Sequence, residues 1–505
     1  MPKDTWYITT PIYYVNDLPH IGHAYTTVIA DFLARWHRLR GRNVHFLTGT
    51  DEHGAKVARA AEERRKTPQE WCDEIVPRWM QVWERLEISN DDFIRTTEAR
   101  HERPVATFMT HLYERDEIYR APYEGLYCVR CEEYKSVSDL VDGNCPVHGS
   151  PVEALKEDNW FFRLSSYTQP LIDHYEANPG FVRPERARNE LMGKLRLGLD
   201  DLAISRASIT WGIPIPWDSD QVIYVWIEAL QNYITAVGYD TDADRFDRVW
   251  PADVHLIGKE IVWHHAVVWP AMLMAAGIPL PETVFAHGWL LAGGEKISKS
   301  GRGITQISPH ELVDTFGVDG YRFHFLRATP FGDDGNFSIE DMESRYNAEL
   351  ANDLGNLASR TIAMIERYFD GTVPEPQVIE APEHALRSTV AEAAEAADGL
   401  VSDFKVTEAL AQIWEIVRHA NRYLVEREPW KLARDETNRP TVAGVLHTVA
   451  VALTVTAALL SPAMPVAMAE LWSRLGLAGA PTLDRPDVTG RRVRSGDALF
   501  PRLET

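Results

Sequence analysis

The sequence predicts an α/β protein: a doubly wound, Rossmann-type parallel sheet interrupted by an insertion and followed by an all-α helix bundle. Three observations predict it. Residues 5–51 read as strand, helix and strand; a second run of α/β signals appears between residues 222 and 290; and from about residue 343 the apolar residues recur almost wholly at helical spacing.

Taken in order, TWYITTPIYY (5–14) is β-branched and aromatic with a proline near its end, which reads as a strand running into a turn. In 22–39 the residues Val28, Ile29, Phe32, Leu33, Trp36 and Leu39 keep helical spacing, and Gly41 is a stop signal. NVHFLTGTDEHG, from Asn43, reads as a second buried strand ending in a polar loop. Strand, helix and strand at this spacing make a βαβ unit with a right-handed crossover. The sheet signals lapse between about residues 117 and 210. They resume with VIYVWIEAL from Val222, DVHLIGKE from Asp253, a helix over 261–276 and TVFAHG from Thr283. The helical segments ESRYNAELANDLGNLASRTIAMIERYF, EHALRSTVAEAAEAADGLV and VTEALAQIWEIVRHANRYLVEREPW then predict an antiparallel bundle. The chain thus divides into 1–116, the first half of the sheet domain; 117–210, the insertion; 211–290, the second half; 291–342, a linker region; and 343–505, the bundle.

Composition excludes several classes. The formal net charge of −22 over 505 residues opposes a protein coated in nucleic acid, so DNA is not an expected partner, but a local basic patch still permits a specific RNA contact. MPKDTWYITT lacks the features of a signal peptide. The uncharged stretch before Glu470 is broken by Pro462 and Pro465, and its apolar run 449–460 is 12 residues, short of the ~20 of a spanning helix. It reads as a buried bundle helix, with no membrane partner. With only four cysteines, three of them clustered, a disulfide scaffold is not expected, and the chain fits a reducing, cytoplasmic compartment.

Those three cysteines carry a metal signal. Cys128-x2-Cys131 and Cys145-x2-His148 are two ligand pairs separated by 13 residues, the pattern of a Cys3His zinc knuckle. Four protein ligands close a tetrahedral sphere, so the expected role of the zinc is structural. Cys72, in the helical stretch TPQEWCDEIVPRW, reads as a packed thiol.

Two short motifs carry the chemistry. PHIGH stands at the first strand-to-helix turn, where a doubly wound sheet presents helix amides to phosphate. His20 and His23 can donate to a triphosphate, and Gly22 can let the backbone approach a ligand or pack the helix on the sheet. Alone this is weak, since two satisfied turn histidines explain it more simply. GGEKISKSGRGI, however, places Lys296, Ser298, Lys299 and Ser300 on a glycine-flanked segment after the last strand, where lysines can close over phosphates.

PHIGH and KISKS in this order resemble the two signature motifs of the class I aminoacyl-tRNA synthetases. In detail TPIYYVNDLPHIGHAYTT, FLTGTDEHGAKV, YVWIEALQNY, HLIGKEIVWHHAVVWPAML, FAHGWL, DGYRFHFLR, NAELANDLGNLASR and EPW resemble the bacterial methionyl-tRNA synthetases, over nearly the whole chain. The resemblance implies a ligase that activates L-methionine with ATP, carried with Mg, and transfers it to the terminal adenosine of tRNA. It implies a methionine pocket of Ile12, Tyr14, Trp226, Ala229, Tyr233, His265 and Trp269, with Asp51 holding the amino group. ATP falls to His20, Gly22, His23, Glu260, Lys296, Ser298 and Lys299; of these His20, His23, Lys296 and Lys299 are the catalytic set. Asn356, Arg360 and Trp430 would read the CAU anticodon, making the bundle anticodon-binding, and the insertion would be the connective domain that guides the acceptor end. Three departures stand out: Ile297 within KISKS, Glu260 where aspartate is common, and His264 where a phenyl ring is usual.

Overall fold

The computed structural model describes residues 3–128, 133–135, 140–146, 149–292, 295–296, 308–484 and 487–504. The chain forms two compact units, one of residues 1–30, 42–83 and 89–288, the other of residues 31–41, 84–88 and 289–505.

The first unit is built on a six-stranded sheet. Its strands are β1 (Thr5–Tyr14), β2 (Asn43–Asp51), β3 (Asp92–Arg95), β4 (Val182–Arg183), β5 (Val254–Gly258) and β6 (Thr283–His287). They lie in the order β3-β2-β1-β5-β6-β4, and every neighbouring pair is parallel. Strand order reverses between β1 and β5, so the carboxyl ends of those strands flank the crevice where such sheets bind ligands. Helix α1 (Ile21–Leu39) leaves the end of β1 and returns to β2, as the sequence predicts.

Strand β1 carries a bulge. Thr9 pairs with Leu47 and Ile12 with Gly49, so Thr10 and Pro11 together oppose the single residue Thr48. Proline, which has no N–H for the ladder, is tolerated in a central strand only at such an irregularity. The extra residue reverses the alternation of side chains. The hydroxyl of Tyr7 donates to the carbonyl of Tyr233 at 2.8 Å and Thr9 bonds His255 at 2.8 Å, on one face. Beyond the bulge it is even-numbered Tyr14 that meets Trp226, while Tyr13 turns to His23 and Trp79.

The insertion is less separate than the sequence predicts. Ile118–Cys128, Glu133–Lys135, Glu153–Phe162 and Leu202–Ala203 form an antiparallel sheet of their own. Yet β4, within the same stretch, completes the edge of the central sheet, and Leu171, Tyr175 and Leu191 share one core with Phe108, Val267 and Trp269. A two-residue strand is too short to leave an alternating pattern. The run from Val222 also departs from expectation: Asp218–Ile223 is an antiparallel strand of a small sheet, and Val225–Ala229 turns into a helix.

The second unit is mainly helical. Helix Pro309–Arg327 opens with a Ser308–Glu311 capping box and is kinked at Gly317. Ile339–Arg345, a π-helical stretch Tyr346–Gly355 and Asn356–Phe369 follow without a break, and Ala381–Ser402 packs on Val406–Arg427. Both pack on Arg439–Leu460. That helix begins ten residues before the apolar run measured above, with Pro440 in its first turn, so the length argument against a membrane span fails. Burial replaces it: the stretch Glu436–Leu460 is long and apolar enough to span, but 94% of its most apolar window is buried among the other helices.

One ion pair lies in the core of this unit. Arg322 and Asp31, both wholly buried, meet at 2.6 Å, and Arg322 also donates to the carbonyls of Leu86, Pro462 and Ala463 at 2.9–3.0 Å. Asp31 accepts a second bond from Arg35 at 2.7 Å. Every group in the pair therefore has a partner.

Candidate active site

The PHIGH turn sits at the carboxyl end of β1. The backbone N–H of His20 donates to Nδ1 of His23 at 3.2 Å, and that of Gly22 donates to Nδ1 of His20 at 3.0 Å. Both Nδ1 atoms being acceptors, the network assigns the proton of each neutral ring to Nε2, the form that donates to an anion. The two rings stack at 3.7 Å between centroids. Gly22 leaves room for this stack. A Cβ there would fall 2.9 Å from Cε1 of His20. Tyr13 and Trp79 pack on His23 from beneath, each 5.1 Å away between centroids. Next to this turn, Thr26 donates to Nε2 of His287 at 2.7 Å, because His287 Nδ1–H is committed to the carbonyl of Gly288.

At the end of β5, Glu260 folds back over Gly258: a Cβ on that glycine would fall 2.5 Å from Glu260 Oε2. The helix predicted over 261–276 is irregular in its first half. It starts as a 3-10 turn, Lys259–Ile261, passes through a π-turn, His264–Val268, and becomes α-helical only at Trp269–Ala276.

That π-turn delivers His265 to Tyr233. His265 Nδ1–H donates to the carbonyl of Ile261 at 2.9 Å, so Nε2 is the acceptor for the Tyr233 hydroxyl at 2.8 Å. Burial pushes the His265 pKa down to about 3, with the neighbouring His264 adding to the fall, and the ring is neutral. Burial likewise raises the Tyr233 phenol, helped by the Asp51 charge. Around this pair stand Ala229 and Trp269, both buried, with Tyr14 edge-on to Trp226 at 6.4 Å. Trp226 stacks on His264 at 4.1 Å and 14°, so the imidazole takes the flat-ring place that a phenyl would fill. Ile12 and Tyr14 are half-buried, and Asp51, at the end of β2, is the strand neighbour of Tyr14. The arrangement is an apolar, aromatic slot with one neutral hydroxyl–imidazole pair inside and the buried Asp51 carboxylate on the strand beside Tyr14.

The remaining predicted residues lie elsewhere. Lys296 is on the two-residue strand Glu295–Lys296 of the second unit, while Ser298 and Lys299 lie outside the described residues. Cys128 and Cys145 are fully buried; Cys131 and His148 lie outside the described residues, and among those described no three ligands come together for a metal. In the second unit Arg360 and Trp430 do meet, the guanidinium 5.2 Å above the indole, with Asn356 exposed one turn earlier on the same helix.

Three side chains that sequence reading passes over also belong here. Glu228, wholly buried, accepts from His53 at 3.0 Å and from His101 at 2.9 Å. The signal was present: Glu228 is the one charge in the apolar run 222–230.

The comparisons with known proteins agree with one another. A family model described as tRNA synthetases class I (M) matches residues 6–151 and 135–362. A Streptomyces coelicolor protein named methionine–tRNA ligase is 49% identical over 99% of this chain and 97% of its own length. A Bacillus subtilis protein of the same name is 42% identical over 100% of this chain and 79% of its own. The solved structure of Mycobacterium tuberculosis methionyl-tRNA synthetase in complex with methionyl-adenylate superposes with a TM-score of 0.95, at 39% identity, covering 99% of this chain and 100% of that one.

Proposed function

Because this chain belongs to the methionyl-tRNA synthetases of class I, we propose that the slot around Tyr233 and His265 binds methionine and that the PHIGH turn beside it binds ATP. The protein is an aminoacyl-tRNA ligase. It joins the methionine carboxylate to the α-phosphate of ATP, releasing pyrophosphate, and then passes methionyl from the adenylate to the terminal adenosine of tRNA, releasing AMP. The observation that carries the assignment is that the slot and the histidine turn lie at the same strand ends, β1 and β5, where the sheet reverses.

In this reading Ile12, Tyr14, Trp226, Ala229 and Trp269 enclose the thioether, and Tyr233 with His265 supplies its one polar neighbour. Asp51 holds the ammonium group. The Nε2–H groups of His20 and His23 and the start of α1 face the phosphates, with Glu260 nearby for the nucleotide. ATP arrives with magnesium, and Lys296, Ser298 and Lys299 add their contacts from KISKS. No side chain forms a covalent intermediate; orientation and charge stabilisation do the work.

Arg360, Trp430 and Asn356 are read as the anticodon contact, a stacked cation and indole suited to splayed bases. The segments 1–116 and 211–290 make the catalytic domain, 117–210 the connective insertion, 291–342 the linker and 343–505 the anticodon domain, in a cytoplasmic protein. The experiment is amino-acid-dependent pyrophosphate exchange. Methionine supports it and other amino acids do not; exchange with another amino acid alone refutes the pocket. In the same protein Trp430→Ala leaves exchange within about twofold but lowers tRNA charging roughly 100-fold, and equal loss of both refutes the anticodon assignment.

Zinc fits the donors described, since Cys128 and Cys145 are buried thiols of the kind the ion takes as thiolates. With Cys131 and His148 they would close a structural site that stiffens the insertion. Metal analysis should give about one zinc per chain, and under about half an equivalent removes the knuckle.

A further inference from the structure

Glu228 has no part in the chemistry above, yet its carboxylate is wholly enclosed near the pocket. His53 Nδ1 bonds one oxygen at 3.0 Å and His101 Nε2 the other at 2.9 Å. His101 is anchored in turn, through Nδ1, to Thr235 at 2.9 Å. Burial works against the charge, but the His53 charge and the bonds from both rings outweigh it and hold Glu228 below the ordinary carboxylate range.

The connectivity gives the enclosure a purpose. Asp51 is the strand neighbour of Tyr14, Tyr14 touches Trp226, and Trp226 shares the helix Val225–Ala229 with Glu228. Glu228 bonds His53, which is two residues from Asp51. These links form a closed ring beside the Tyr233–His265 pair, and the Glu228–His53 bond ties the Asp51 loop directly to the helix that carries Trp226.

The same loop is held independently on its other side. Glu52 receives both Arg95 bonds, at 2.8 and 2.9 Å, and the Thr50 and Thr97 hydroxyls, while its carbonyl accepts the indole N–H of Trp211. Loss of Glu228 therefore leaves the loop attached but removes its fixed distance from that helix.

We propose that Glu228 is a positioning residue for the amino-acid site, holding the loop that carries Asp51 against the helix that carries Trp226 and Ala229 through its paired bonds to His53 and His101. It rests on the reading of this slot as the methionine site. The substrate's ammonium and thioether are gripped by opposite sides of the ring, so its affinity depends on that spacing, whereas ATP binds outside it.

The test is pyrophosphate exchange with methionine and ATP varied separately. Glu228→Ala raises KM for methionine roughly tenfold or more and leaves KM for ATP within about twofold. Glu228→Gln returns the methionine KM to within about threefold of the wild type, because the carboxamide keeps the span and His101 can reverse its tautomer against Thr235. An unchanged methionine KM in Glu228→Ala, or equal rises for both substrates, overturns the proposal. Should Glu228→Ala not yield folded protein, His53→Ala cuts the same link and must show the same split. The wild type separates the two readings: if methionine does not support its exchange, the pocket assignment fails before any variant is tested.

Discussion

Replacing His23 with alanine lowers the maximal rate of methionine-dependent pyrophosphate exchange by roughly 10²–10³ and leaves the methionine KM within about twofold. The expectation follows from the tautomer. Nδ1 of His23 is taken by the backbone N–H of His20, which commits the ring proton to Nε2. A donor held this way needs no reorientation as charge develops on the phosphates, and such donors contribute most where they meet charge that exists only in the transition state. Tyr13 and Trp79 fix the ring from beneath, so it keeps its aim without substrate. His23→Gln, which restores an N–H at similar reach, should recover part of the loss. His20→Ala should resemble His23→Ala, since each ring is the other's stacking partner. A fall of less than about tenfold in His23→Ala would remove the histidine from the transition state.

The second large effect is on stability. Arg322→Ala destabilises the protein by about 3–5 kcal/mol, because it strands Asp31 in a dry core and orphans three carbonyls. Arg35 remains beside Asp31 but its side chain is partly solvated, so it does not replace the buried guanidinium. The instructive comparison is the double variant Asp31→Leu with Arg322→Met. Removing both charges together should restore much of what the single change loses, as apolar side chains of similar size often match a buried ion pair. The measurement is the midpoint of urea unfolding at constant slope. If the single and double variants unfold together, the cost lies in packing volume and not in the uncompensated charge.

What the sequence made legible follows from the length of each element. Strand β1, helix α1 and strand β2 were readable because each holds enough apolar residues to show its period. Strand β4 was not, since two residues carry no period, and so the insertion looked more detached than it is. The helix Arg439–Leu460 was recognised as buried for an incomplete reason, its polar-looking first turns hiding how far it extends. Asn356 and Arg360 could be placed on one helix face by their spacing, but only the fold brings Arg360 over Trp430, seventy residues away in sequence. The hydrogen bonds that set tautomers in His20, His23 and His265 run to backbone atoms, and no side-chain pattern announces them. Glu228 was visible as an oddity and became intelligible only with both of its histidines in place.

The bulge at Thr10 and Pro11 gives β1 the character of a counter. In a strand the side of the sheet a residue faces is a matter of odd or even, and one supernumerary residue exchanges the two for everything downstream. Upstream the odd positions look toward Tyr233; downstream the even ones do, which hands Tyr14 to the amino-acid slot and Tyr13 to the histidine turn. Two adjacent tyrosines, chemically identical, meet different neighbours because of parity alone. For this stretch the information that would separate methionine from ATP, in the function proposed above, is therefore held in how many residues precede Tyr13 and Tyr14, and less in which residues they are.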